Sequence, residues 1–281
     1  MKILSVYAHP ADHFSESGGT LALHAAKGDE TVLVTLTHGG RIHPNAYAEQ
    51  NRIDEAAARR VTREQIILAK RREMERAAEV IGVSRLIHLD YDDNYVGVDA
   101  IIVKRLAQVI ADERPDVILT DYPLTATLPD PHTVASIMLL NALNQVSLYL
   151  KNLDGRSEYW VKQVFMTKLP AYPRDALSLN GIRNDLFIDI TAVVGKKLKA
   201  LDQFASQGYR GDYARKAIET VDGIFGKTAY VNFAEGFCRL YNETRDELPV
   251  TDHMRKNDIL TAHKRYSTID LRGTYPCEPE G

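Results

Sequence analysis

A chain of 281 residues, 44% hydrophobic and 26% charged, has the make-up of a globular protein able to bury a sizeable core. With 35 Lys and Arg against 38 Asp and Glu the net charge is −3, which excludes bulk attraction to nucleic acid or an anionic membrane. No apolar run is expected to span a bilayer, which takes roughly 20 residues, and Cys238 and Cys277 supply neither a disulfide framework nor a cysteine zinc site. The expectation is a cytoplasmic enzyme with a small-molecule substrate and no nucleic-acid or membrane partner, homo-oligomerisation being left open.

Met1–Ala8 is rich in apolar, β-branched and aromatic residues and stops at His9-Pro10, which predicts a buried first strand rather than a cleaved leader. Gly18-Gly19 is expected to open a helix with apolar positions at Leu21, Leu23, Ala25 and Ala26, ending at Gly28. Thr31–Thr37 (TVLVTLT) predicts a second buried strand. Strand, helix and strand joined by short links make a βαβ unit, which requires a parallel sheet covered by helices. The polar connection from His38 to Arg60 is long for a compact domain, as lids and partner contacts often are.

A helix is expected from about Thr62 to Ile81, a strand over Ser84–Leu89, a helix over Asp99–Asp112 and a strand over Asp116–Pro123. His132 stands at the entrance of a helix over Thr133–Leu148. Past Lys151, VKQVFMTK and DLFIDI read as strands, and TAVVGKKLKALDQFASQ (begun by Thr191) and Tyr213–Thr220 as helices. The fold class expected is α/β: a doubly wound, mostly parallel, Rossmann-like sheet with helices on both faces. It occupies residues 1–250, and residues 251–281 form a C-terminal tail.

In such folds the ligand site lies beyond the carboxyl ends of the parallel strands. His9, Asp12 and His13 follow the first strand, Thr37, His38 and Arg41 the second, Asp90, Asp92 and Asp93 the third, and Asp121, Asp130 and His132 the fourth. Catalytic zinc commonly takes three protein ligands and keeps one open position. His9, Asp12 and His132 would give two nitrogens and one oxygen, suited to Zn2+ or another divalent ion such as Fe2+. Such a centre lowers the pKa of a bound water to roughly 7 and polarises a substrate oxygen. The plain alternative for His9-x-x-Asp12 is a local hydrogen bond capping a turn. Gly18-Gly19 could cradle a phosphate at a helix N-terminus, but it lacks the phosphate-loop patterns, which favours packing.

Ala8-His9-Pro10-Ala11-Asp12, then Gly18-Gly19-Thr20, then Thr37-His38-Gly39-Gly40 resemble the A-H-P-D-D, G-G-T and T-x-G-E motifs of the LmbE/PIG-L family of zinc-dependent N-acetylglucosaminyl deacetylases. Lys70–Val83 (KRREMERAAEVIGV), Asp189–Gln207 and Ala234–Phe237 (AEGF) resemble later family segments in the same order, so the likeness spans most of Met1 to about Leu240. The resemblance implies His9 and Asp12 as the first two zinc ligands and His132, in PDPHTVAS, as the third.

Three departures stand beside this. The family's usual general base is Ala11 here, its T-x-G-E glutamate is Gly40, and its oxyanion-stabilising histidine has only Leu128 or Pro129 in its place. An alanine cannot take a proton, and general acid–base help is worth roughly 10²–10⁴-fold. The first reading is a metal-dependent, deacetylase-like hydrolase using a metal-bound water on an N-acyl sugar or related amide. Its base would be relocated to His13 or Asp130, with Asp93, His38 and His43 as outer candidates; Asp130 could instead orient His132. The second is a hydratase like the superfamily's 4-oxalomesaconate hydratase, whose first motif also has Ala ahead of the ligating Asp, although its counterpart of Gly40 is Glu. There Arg41, Arg71 or Arg72 could pair a substrate carboxylate, with His38 and Asp93 among the substrate-binding candidates. A non-catalytic metal-binding relative is the third.

Overall fold

Along Lys2–Tyr7 successive side chains point to opposite sides of the strand, and both sides are apolar. Ile3 and Tyr7 enter one buried cluster, Leu4 and Val6 another. A strand buried on both faces belongs inside a helix-covered sheet. The computed structural model describes residues 1–41, 62–93, 97–123, 131–154, 159–167 and 184–256. Its strands are β1 (Lys2–Tyr7), β2 (Glu30–Thr37), β3 (Arg85–Tyr91), β4 (Val117–Asp121), β5 (Gln163–Thr167), β6 (Leu186–Asp189) and β7 (Ala234–Arg239). They form one sheet in the order β3-β2-β1-β4-β5-β7-β6. The pairs from β3 through β5 are parallel, while β7 runs antiparallel to β5 and β6.

Helices α1 (Asp12–Ala26), α2 (Arg63–Ile81) and α5 (Val194–Leu201) cover the Ile3/Tyr7 face through Phe14, Leu21, Met74, Ala77 and Leu198. Helices α3 (Ala100–Glu113) and α4 (Pro131–Asp154) cover the other through Leu106, Ile110, Met138 and Leu139. Local chemistry fixes where they start. Thr62 and Gln65 form a reciprocal capping box before α2, which stops at Gly82 with φ +89°. Asp99 caps α3 by accepting the Ile101 and Ile102 amides at 2.7 and 3.3 Å. By length and composition Pro131–Lys151 could cross a bilayer, which the sequence was not expected to offer. Half of it is buried, and Met138, Leu139 and Ala142 are completely so, which makes its apolarity that of a core helix.

Three elements depart from expectation. Helix α1 starts at Asp12, six residues before Gly18, and kinks at Ser17 (φ −141°, ψ 17°). The AEGF segment, to which no element was assigned from the sequence, begins strand β7, where a glycine and a buried glutamate mask the usual strand pattern. The helix expected over Tyr213–Thr220 is α6 (Asp212–Ala217), a π turn (Ile218–Asp222) and α7 (Gly223–Ala229) in succession. Of the expected tail, Asp252–Lys256 forms the short helix α8 and residues beyond 256 lie outside the described ones.

The kink in α1 explains Gly18-Gly19. A Cβ on Gly19 would fall 2.6 Å from Ile190 Cγ2, and the Gly19 and Thr20 amides donate to the Glu235 carboxylate at 2.8 and 2.7 Å. The pair serves close packing, and Glu235 occupies the amides that a phosphate would need. Glu235 also accepts from Lys197 Nζ at 2.8 Å, with Asp222 Oδ2 at 2.7 Å from the same ammonium, and all three side chains are buried. Burial alone would lower the Lys197 pKa, but Asp222 and Glu235 more than offset it and the net shift is upward. Removing the cation leaves two buried carboxylates face to face. The Lys197→Met variant is therefore expected to lose about 3–5 kcal/mol of unfolding free energy, measured by urea denaturation; a loss below about 1 kcal/mol would mean that water reaches the cluster.

Candidate metal centre

The sheet order reverses between β1 and β4, so the crevice of this fold opens beyond their carboxyl ends. His9 lies two residues past β1, Asp12 is the first residue of α1, and His132 is the second residue of α4. Candidate ligand atoms of the three lie within 4.8 Å of one another. The Asp12 carboxylate is fixed locally, because its Oδ2 accepts the His9 amide at 2.8 Å. The same oxygen stands 3.3 Å from His9 Nδ1 and 3.2 Å from His132 Nδ1, and the two rings meet edge to face with centroids 4.8 Å apart.

His9 is 2% exposed, and among the described residues neither of its ring nitrogens has a hydrogen-bond partner. Burial lowers its pKa, opposed by Asp12, which favours the neutral imidazole that binds a cation. A buried imidazole without hydrogen bonds, a carboxylate and a second imidazole form a donor set that fits a divalent ion such as zinc. The turn-capping alternative accounts for Asp12 but not for His9.

The other candidates are placed differently. His13 is fully buried, with Nδ1 2.8 Å from Ser5 Oγ and Nε2 3.0 Å from Thr35 Oγ1. Burial lowers its pKa to about 3. Both nitrogens of this candidate base lie against hydroxyls of the sheet. Ala11 is 2% exposed and packs in the apolar cluster with Tyr7 and Phe14. Asp130 and His43 lie outside the described residues.

Asp93 accepts the Gly39 and Arg41 amides at 2.8 and 2.7 Å and so clamps the turn after β2. His38 Nδ1 accepts the Gly40 amide at 3.0 Å, and the Arg41 guanidinium holds Asp92 bidentately at 2.6 and 3.0 Å. Arg71, 2.5 Å from Asp90, lines a small pocket with Pro10, Thr37, His38, Ile67 and His88.

Two contributors were given no role by a reading of the sequence. Lys70 is buried under Gly39, donates to its carbonyl, and has its pKa lowered to about 8 by burial. Its only sequence signal is an ordinary place on an amphipathic helix. Asp121 Oδ2 lies 3.2 Å from His132 Nδ1. It was visible as a strand-end carboxylate, but nothing in the spacing paired it with a histidine eleven residues on.

A doubly wound sheet carries this His–Asp–His group at its switch point, and the profile of PIG-L, GlcNAc-PI de-N-acetylase, matches residues 4–142. The chain belongs to this PIG-L/LmbE family. It is 27% identical over 212 residues to the 4-oxalmesaconate hydratase of Pseudomonas putida, 75% of each chain being covered. It is 24% identical over 244 residues to the diacetylchitobiose deacetylase of Thermococcus kodakarensis, covering 84% of this chain and 81% of that one. The solved 4-carboxy-2-hydroxymuconate hydratase of P. putida matches with TM-score 0.70 at 23% identity, over 88% of this chain and 99% of that one. The family is one of enzymes, and it includes both deacetylases and a hydratase.

His13 yields a pH prediction. Its folded pKa of about 3 lies below the unfolded value near 6.5, so the unfolded chain binds the extra proton between them. Stability from this group is complete above pH 6.5 and is lost as pH falls toward 3, by at most about 1.4 kcal/mol per pH unit. His13→Gln is expected to flatten that part of the profile, measured by denaturant unfolding between those limits.

Proposed function

We propose that this chain is a metal-dependent hydratase that adds water to a small unsaturated keto-dicarboxylic acid, with zinc or iron(II) held by His9, Asp12 and His132. The observation that carries this reading is Ala11. Its methyl group is buried among apolar side chains, where a deacetylase of this family would carry the carboxylate that takes a proton from water. His13, the nearest replacement in sequence, has both nitrogens engaged. Similarity to the Pseudomonas hydratase across 75% of the chain supports the same choice.

A divalent ion in the centre supplies Lewis acidity toward a substrate oxygen and acidifies water. The chain's own residues do the rest. Asp12, anchored on the His9 amide, brings negative charge to the centre of the group. His38 faces N–H donors at both ring nitrogens, the Gly40 amide at Nδ1 (3.0 Å) and the Arg63 guanidinium at Nε2 (3.3 Å), and lines the pocket beside Arg71. Arg71 offers a guanidinium for a substrate carboxylate, in exchange with its exposed partner Asp90. Arg41 would have to give up a bidentate contact to do the same.

The deacetylase-like reading, acting on an N-acyl sugar or related amide, keeps the support of the family profile and of the Thermococcus enzyme. Purified protein should be offered N-acetyl amino sugars and unsaturated keto-dicarboxylic acids in parallel. The hydratase reading expects loss of ultraviolet absorbance with the acids and no acetate from the sugars. His9→Ala should lower that rate on the order of 100-fold or more. Acetate release without absorbance loss would reverse the choice.

A further inference from the structure

We propose that Asp121 is the positioning residue of His132: its carboxylate holds Nδ1 as the proton-bearing nitrogen and so turns Nε2 toward the cation. The inference deepens the metal-site reading above and rests on it. Four observations carry it. Asp121 ends β4, at the strand reversal where the centre lies, and is 1% exposed. Its Oδ2 stands 3.2 Å from His132 Nδ1 in hydrogen-bond geometry. Its other oxygen faces the Thr167 hydroxyl at 3.4 Å, and that hydroxyl is 3.2 Å from the Tyr7 hydroxyl on β1. Its main-chain carbonyl accepts from Ser136 Oγ, one turn into α4 from His132. The carboxylate thus meets β5 through Thr167 and α4 through His132, while the main chain behind it is held to α4 by Ser136.

The choice between two carboxylates follows from proton counting. Asp12 Oδ2 and Asp121 Oδ2 each lie 3.2 Å from His132 Nδ1. One N–H cannot donate at full strength to both. Asp12 belongs to the ligand group, where its charge faces the cation, so Asp121 keeps the proton-bearing nitrogen. A carboxylate on the non-ligating nitrogen fixes the ring's tautomer and raises its basicity as a ligand. Asp130 was the expectation for this role; Asp121 is the residue found in contact.

The test measures zinc affinity, by competition with a chromophoric chelator, for the wild-type protein, Asp121→Asn, Asp121→Ala and His132→Ala. One zinc per wild-type chain, lost in His132→Ala and weakened 10–100-fold in both Asp121 variants, is the expected result. Wild-type affinity in folded Asp121 variants, with His132→Ala defective, overturns this proposal and leaves the metal site standing. A wild-type protein that binds no zinc, iron(II) or cobalt(II) overturns both. If the variants do not fold, long-range 1H–15N spectra of the zinc-loaded wild-type protein decide. A protonated Nδ1 and a ligating Nε2 on His132 are expected, and a ligating Nδ1 overturns the assignment.

Discussion

Burying the His9 imidazole with no hydrogen-bond partner for either nitrogen among the described residues is the constraint on which the site turns. A buried polar group left unmet costs about 1–3 kcal/mol, and a sheet of this size could have filled the position with an apolar side chain instead. The cost persists at a strand end that is otherwise closely packed, between Tyr7 and Ala8 on one side and the anchored Asp12 on the other. A cation would remove the part of it that belongs to the ring's one lone pair. The same ion relieves the Asp12 carboxylate, which faces both imidazoles from one oxygen.

The scaffold is arranged to keep these few atoms in register. Helix α1 carries Asp12 at its first turn and is gripped farther along by Glu235 through two backbone amides, with Lys197 behind the carboxylate. Asp93 and Lys70 hold the turn after β2 from two sides, through amides and a carbonyl. Gly39 in that turn has φ +68°, and a Cβ there would press on Lys70 and Pro10 at 3.1 and 3.3 Å, so glycine is required for both its backbone and its size. These holding groups are separate from the His9, Asp12 and His132 side chains. Together they fix the two loops that flank it.

Much of this was legible in the sequence, for reasons that can be named. β1, β2 and β4 are short apolar runs bounded by polar punctuation, and α2 carries a capping box and a glycine stop, so their existence and order followed from local signals. The strand-end rule then brought His9, Asp12 and His132 together across more than a hundred residues. What stayed hidden depended on tertiary contact. Helix α1 begins before its glycines because the Ala11 carbonyl accepts the Phe14 and Ser15 amides, each at 3.0 Å, and a kink rather than a start is what Gly18-Gly19 mark. β7 was masked by Glu235, whose charge is matched by a lysine 38 residues away. The contacts of His13, a candidate base, were hidden because its partners, Ser5 and Thr35, are contributed by two different strands.

Ala11 separates what the family shares from what this chain does. Its neighbours on either side keep the ligand pattern, while its own methyl group belongs to the core. On the proposed reading, metal binding and the choice of reaction are carried by different atoms of the same five residues. The most direct test of the account is an anomalous-diffraction map from crystals grown with zinc. The account predicts one peak per chain, bonded to His9, Asp12 and His132. A peak elsewhere with this triad empty at saturating zinc would contradict it.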